Sequence, residues 1–211
     1  MKAHTLETQT TVTPDKALNF LKEGNQRFVN NLKANRDLLE QVNATRAGQW
    51  PFAVVLSCID SRTSAELIFD QGLGDVFSIR IAGNFVNQDI LGSMEFGCNV
   101  AGSKLVVVLG HSKCGALKGG LDSAQIEDLG MDNLNHLIGH FNPIINEIIE
   151  DGEERSSSNT DLLERLNHHN VKNAIDEIRK QSSTLRNLEN EGKIKIIGAN
   201  YDVETGVVSW L

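Results

Sequence analysis

The chain has 211 residues, of which 40% are apolar and 23% are charged, as in a soluble globular protein with one full core. Its 20 Lys and Arg against 28 Asp and Glu give a formal net charge of −8, which disfavours a nucleic-acid partner. No apolar run approaches the roughly 18 residues of a membrane span, and the polar start does not resemble a secretory signal. We therefore expect one cytoplasmic domain covering residues 1–211, with neither a nucleic-acid nor a membrane partner.

The first predicted elements are helices. Thr13 and Pro14 form a helix start, and Leu18, Leu21 and Phe28 follow at near-helical spacing. A second short helix is predicted over residues 36–47, before the helix-breaking sequence GQWP. Residues 1–47 are therefore expected to form a helical arm that precedes the first strand.

Short apolar runs further along the chain predict β-strands. The runs are FAVVLS (52–57), VFSIRI (76–81), KLVVVLG (104–110) and KIKIIGA (193–199). The first and third are almost continuously apolar, which is typical of strands covered on both faces. Helical patterns between the strands predict crossovers at 64–71, 90–102 and 131–182, interrupted by a polar surface loop at 151–161.

The end of the chain, YDVETGVVSWL, predicts a turn followed by a last strand at an antiparallel edge. The expected fold class is α/β, with a mainly parallel four-stranded sheet, an antiparallel edge strand, flanking helices and the N-terminal helical arm.

Chemically active residues follow two of the predicted strands. Cys58, Asp60 and Arg62 follow the first strand, and His111 and Cys114 follow the third. Ligands of open parallel sheets bind at the carboxyl ends of the strands, where these residues would meet. Two thiolates and one imidazole are ligands that Zn²⁺ prefers, and three protein ligands leave a fourth position open, as in catalytic zinc sites.

Asp60 and Arg62 predict control of that fourth position. Two residues beyond a metal ligand, the Asp60 carboxylate could itself reach the metal and exclude water. The Arg62 guanidinium could instead hold the carboxylate in a bidentate pair away from the metal. Asp60 would then accept a hydrogen bond from a zinc-bound hydroxide. The remaining cysteine, Cys98, lies within a helical pattern and is expected to be a packed core thiol.

The segments CIDSR and HSKCG together resemble the β-class carbonic anhydrases, with similarity from about residue 17 to the end. The resemblance implies one Zn²⁺ per chain, bound by Cys58, His111 and Cys114, and a catalytic pair of Asp60 and Arg62. It also implies reversible hydration of CO₂ to bicarbonate and a proton through a zinc-bound hydroxide.

The same resemblance implies a substrate pocket. Gln49 falls where the plant-type branch has a glutamine that donates to bicarbonate, often across a dimer interface. Phe77, Ala82 and Phe96 fall at apolar pocket positions, and Gly115, which ends the second motif, is assigned to substrate binding with them.

One position indicates the branch of the family. The bicarbonate-regulated branch has a tryptophan three residues before the first cysteine, whereas this chain has Val55. Arg80 and Tyr201 resemble the other two anion contacts of that branch, but without the indole the regulatory pocket is incomplete. The plant-type, always-open branch is therefore favoured. The resemblance further implies a homodimer or homotetramer in which the arm, 1–47, packs on a neighbouring subunit.

Three other functions are compatible with these residues. A zinc enzyme on the same scaffold could hydrolyse CS₂ or COS instead of hydrating CO₂. A closed site with two cysteines, His111 and Asp60 could hold zinc without activity. A thiol enzyme could use Cys58 or Cys114 as a nucleophile without a metal.

Overall fold

A mostly parallel sheet lies at the centre of the computed structural model, which describes residues 3–211. Its strands are β1 (Ala53–Ser57), β2 (Val76–Arg80), β3 (Leu105–His111), β4 (Lys195–Tyr201) and β5 (Val208–Trp210). They lie in the order β2-β1-β3-β4-β5, with β1 to β4 parallel and β5 antiparallel to β4. The predicted fold class is confirmed, including the antiparallel edge strand.

Helices cover both faces of this sheet. They are α1 (Leu6–Thr10), α2 (Pro14–Val29), α3 (Leu38–Thr45), α4 (Ala65–Ile68), α5 (Gln88–Glu95), α6 (Gly115–Leu121), α7 (Ser123–Glu127), α8 (Asp132–Gly139), α9 (Asn142–Ile148), α10 (Thr160–Gln181) and α11 (Ser183–Asn190). No helix within residues 3–211 is both long and apolar enough to cross a membrane.

The central strands β1 and β3 are completely buried because both of their faces meet apolar layers. Successive residues of a strand point to opposite faces. Ala53 and Val55 pack with α2 residues on one face, whereas Val54 and Leu56 pack with α10 residues on the other. This burial explains the almost continuously apolar sequences of the two strands.

The register of the sheet brings the two reactive segments to one level. Ser57 lies opposite Leu109 of β3 and Arg80 of β2. Cys58 therefore leaves β1 at the level of Gly110, one residue before His111. A strand rises only about 3.3 Å per residue, so the two ligand-bearing segments leave the sheet side by side.

The N-terminal arm packs against its own chain. Ala17 and Leu21 of α2 are fully buried against the sheet, and Thr13 caps the helix as predicted. The Asn25 side chain donates to the carbonyls of Ile68 and Gly206. Asp70 accepts from Arg27 of α2, with the two atoms 2.5 Å apart. Contact between the arm and a neighbouring subunit stays a prediction, and residues 1–2 lie outside the described residues.

Two local features differ from the predictions. The pattern at 90–102 forms α5 and then a π-helical turn, Phe96–Val100, rather than one α-helix. The segment 64–71 contains only the short α4. Cys98 within the π-helical turn is a core thiol, as expected, and burial raises its pKa to about 12.

Candidate metal centre

Three potential metal ligands converge at the carboxyl edge of the sheet. One ligand atom from each of Cys58, His111 and Cys114 lies within 4.8 Å of the other two, and all three residues are buried. The two sulfurs are 4.0 Å apart. Sulfurs bound about 2.3 Å from one tetrahedral Zn²⁺ would lie about 3.8 Å apart, so the spacing fits that ion.

The orientation of the His111 ring also fits a metal. Its Nδ1 lies 2.9 Å from the Ser112 carbonyl, to which it can donate. Its Nε2 is buried and has no hydrogen-bond partner among the described residues. A histidine that donates one ring N–H to a carbonyl presents the lone pair of its other nitrogen to a metal. An orphaned Nε2 beside two sulfurs therefore indicates a metal site.

Of the two cysteines, Cys58 is the one arranged to carry negative charge. The pKa of Cys58 is lowered, first because the Cys114 thiol donates to it and also because the backbone N–H of Gly83 donates to it. Cys114 immediately precedes α6, and its pKa is raised, first because its thiol donates to Cys58 and also because it is buried; the backbone amides of Leu117 and Ala116 oppose this shift only in part. Thiolate is the form that binds metal ions.

Asp60 is held by Arg62 through both carboxylate oxygens. Arg62 Nε donates to Oδ1 at 2.9 Å, and Arg62 Nη2 donates to Oδ2 at 2.7 Å. The Arg62 backbone amide also donates to Oδ1 at 2.9 Å. These bonds hold the pKa of Asp60 well below its usual range, so the residue is ionised at neutral pH. The predicted bidentate pair is therefore present.

Two further residues fix the loop that carries Cys58 and Asp60. The Thr63 hydroxyl lies 2.9 Å from the carbonyl oxygens of both residues. Arg80 donates to the same two carbonyls, through Nε to Cys58 at 3.0 Å and through Nη2 to Asp60 at 2.6 Å. Sequence reasoning considered Arg80 only as an anion contact and did not find Thr63. A hydroxyl residue three positions after an aspartate was the available signal for such a turn.

The predicted pocket residues separate into two groups. Ala82 lies in the turn after β2, and Gly115 begins α6, directly beside Cys114. Gln49 is exposed before β1, so the whole of that strand, about 16 Å long, separates it from Cys58.

The two aromatic pocket residues also lie away from the cluster. Phe77 pairs with Val54, well before the end of β1, and its ring centre is 6.2 Å from that of Phe96. Phe96 is 53% exposed. Within one chain, Gln49, Phe77 and Phe96 are therefore not brought to the metal centre.

Comparisons with known proteins agree with this geometry. A family model for carbonic anhydrase matches residues 53–208. Carbonic anhydrase 2 of Mycobacterium tuberculosis is 32% identical over 194 residues, which cover 92% of this chain and 90% of that protein.

Solved structures give the same result. The β-carbonic anhydrase CcaA is 26% identical, with a TM-score of 0.68 and coverage of 92% of this chain and 94% of that one. A tetrameric β-carbonic anhydrase from Sordaria macrospora, 22% identical, shares the fold with a TM-score of 0.59 over 79% of this chain and 83% of that one. The chain therefore belongs to the β-class carbonic anhydrase family.

Proposed function

We propose that this chain hydrates CO₂ reversibly to bicarbonate and a proton, with one Zn²⁺ held by Cys58, His111 and Cys114. The observation that carries the proposal is the convergence of three buried ligand atoms while Arg62 engages the nearby Asp60 carboxylate. When bound by three protein ligands, zinc lowers the pKa of a water molecule to about 7 and so supplies a nucleophile at neutral pH.

Asp60 would orient the attacking water. Arg62 makes one hydrogen bond to Oδ2 of Asp60, so this oxygen keeps a lone pair that can accept from the water. Because Asp60 is ionised, it acts as an acceptor. Arg62 keeps the carboxylate from becoming a fourth metal ligand, which would exclude the water.

The contacts of Arg80 support the always-open branch. Its guanidinium donates to the carbonyls of Cys58 and Asp60 and so braces the ligand loop in the form that keeps Asp60 with Arg62. Val55 is fully buried within the sheet, so this position offers no polar group to an anion. Both features favour a site that bicarbonate does not close.

Metal analysis combined with stopped-flow CO₂ hydration tests the proposal. We expect one zinc per chain, loss of hydration after chelation, and recovery when zinc is restored. Activity that persists without metal would support a thiol enzyme instead. Bound zinc with no hydration at any pH would support a closed site, and faster turnover of COS or CS₂ would reassign the substrate.

Assembly into a homodimer or homotetramer would complete the substrate pocket. Gln49, Phe77 and Phe96 lie apart from the metal centre of their own chain, so they could line a site only in a second subunit. Exposed apolar side chains support such an interface: Leu38, Leu39, Val42, Leu67, Leu73, Phe96 and Val100. The related tetramer from Sordaria macrospora shows that the fold can assemble.

The solution mass tests this assembly. For a subunit of 23.2 kDa, light scattering after size exclusion should give twice or four times that mass. Leu39 in α3 is 76% exposed, and we expect Leu39→Glu to lower the mass and the hydration rate together. Leu129→Glu, at a similarly exposed residue outside that set, should change neither. A fully active monomer would contradict a pocket completed by a second subunit.

A further inference from the structure

A tight turn lies directly behind the first metal ligand. The backbone N–H of Gly83 donates to Cys58 Sγ at 3.3 Å, and this contact is buried. The turn is closed by the backbone N–H of Asn84, which donates to the Ile81 carbonyl at 3.0 Å. The position of this turn therefore determines whether Cys58 receives a backbone hydrogen bond from Gly83.

Glycine is required within the turn. Gly83 has a φ of +76°, in the left-handed region that side chains disfavour. A Cβ atom at this position would lie 2.2 Å from Cζ of Phe141, which is itself fully buried. The turn is consequently packed against the ring of Phe141, and its backbone alone faces the sulfur.

Helix α10 holds the other side of Gly83. Asn170 Nδ2 donates to the Gly83 carbonyl at 2.8 Å in a buried contact. Asn170 is only 1% exposed. Its neighbours Val171 and Ala174 pack in the core on the face of the sheet that carries Val54 and Leu56. The peptide groups on the two sides of Gly83 thus have different partners, one being the Cys58 sulfur and the other the Asn170 amide.

We propose that Asn170 is a positioning residue of the metal centre, which holds the Gly83 turn so that its N–H donates to the Cys58 sulfur. This inference rests on the proposed zinc site. Outer partners of metal ligands fix ligand orientation, and their loss typically lowers metal affinity about 10–100-fold. Because Asn170 acts through the Gly83 backbone, we expect an effect near the lower end of that range.

The same helix offers a matched control. Asn167 is also buried on α10, but it donates its Nδ2 to Asn200 Oδ1 at 3.0 Å and not to the Gly83 turn. In both residues the Oδ1 atom has no partner among the described residues. Asn170→Ala and Asn167→Ala therefore remove similar buried amides with different partners.

The test measures the metal directly, in the full-length protein. Asn170→Ala should release zinc to a chelator about tenfold faster than the wild type. After exchange of zinc for Co²⁺, the sulfur-to-cobalt charge-transfer band should shift in Asn170→Ala. Asn167→Ala, whose side chain lies beside Gly110 and not beside Gly83, should change both measurements much less than Asn170→Ala. Equal release rates and spectra in the two variants would overturn the proposal.

Two additions keep the outcome decisive. If Asn170→Ala folds poorly, Asn170→Leu replaces it in the test. Leucine has a similar size to asparagine but no donor, so this variant should show the same faster zinc release and the same spectral shift. In the ¹¹³Cd-substituted wild type, the Gly83 amide proton should show a coupling to cadmium through the sulfur, and its absence would overturn the proposal without any variant. If the wild type binds zinc but the Asn170 variants behave like Asn167→Ala, only the role of Asn170 is overturned. If the wild type binds no zinc, both this role and the proposed function are overturned.

Discussion

Replacing Asp60 with asparagine is expected to lower kcat/KM for CO₂ hydration by about 10²–10³-fold while one zinc per chain is retained. An amide in this place has one acceptor oxygen in place of two, and its NH₂ group would face the donors of Arg62. The water would then lose the acceptor that orients it. The measurement is stopped-flow hydration of CO₂ combined with metal analysis of the same preparation.

The control for Asp60→Asn is Asp89→Asn, which changes an exposed carboxylate in the first turn of α5 and should leave turnover unchanged. The pH dependence gives a second check. The pKa of Asp60 lies well below its usual range, so this group stays ionised from acidic through alkaline assay conditions. A wild-type rate that followed protonation of Asp60 between pH 5 and pH 9 would contradict that assignment, as would full activity of Asp60→Asn.

Arg62→Ala is expected to lower kcat/KM by about 10²-fold through displacement of Asp60, because small misplacements of a catalytic group cost about that much. The substitution removes the two side-chain bonds to Asp60 and leaves only the backbone amide of residue 62. The carboxylate is then free to turn toward the metal ligands. A crystal structure of the zinc-loaded variant should show an Asp60 oxygen bound to the metal.

A double substitution separates this explanation from a direct role of Arg62. If Arg62 acts through Asp60, the pair Asp60→Asn with Arg62→Ala should be no slower than Asp60→Asn alone, since effects that share one mechanism are not additive. Arg62→Lys should recover only part of the rate, because lysine cannot make the bidentate pair. An additive loss, or an Arg62→Ala structure with Asp60 still distant from the metal, would refute the displacement.

Much of the fold could be predicted because a strand that is buried on both faces has an almost continuously apolar sequence. The completely buried β1 and β3 are almost continuously apolar, and their bounds differ from the predictions by only one residue at an end. The π-helical turn at Phe96–Val100 could not be predicted, since its apolar spacing over a few residues does not differ from that of an α-helix. The short α4 shows that helical spacing alone does not fix helix length.

The candidate site was predictable where its residues lie close in the chain. Cys58, Asp60 and Arg62 form one short segment, and His111 and Cys114 form another, so strand ends alone bring them together. Asn170 contacts a residue 87 positions away, and nothing in its local sequence distinguishes it from other asparagines on α10. Contacts of this kind depend on how a helix packs on the sheet, which single-sequence patterns do not specify.

The two edges of the sheet are unequal, and this has a consequence for the isolated subunit. The β5 edge is only three residues long, whereas β2 presents a five-residue edge whose side chains are all at least partly exposed. An open strand of that kind offers unpaired backbone groups to other chains and is a starting point for aggregation. Burial of β2 against a neighbour would therefore protect the protein from forming insoluble deposits, independently of any part it plays in catalysis.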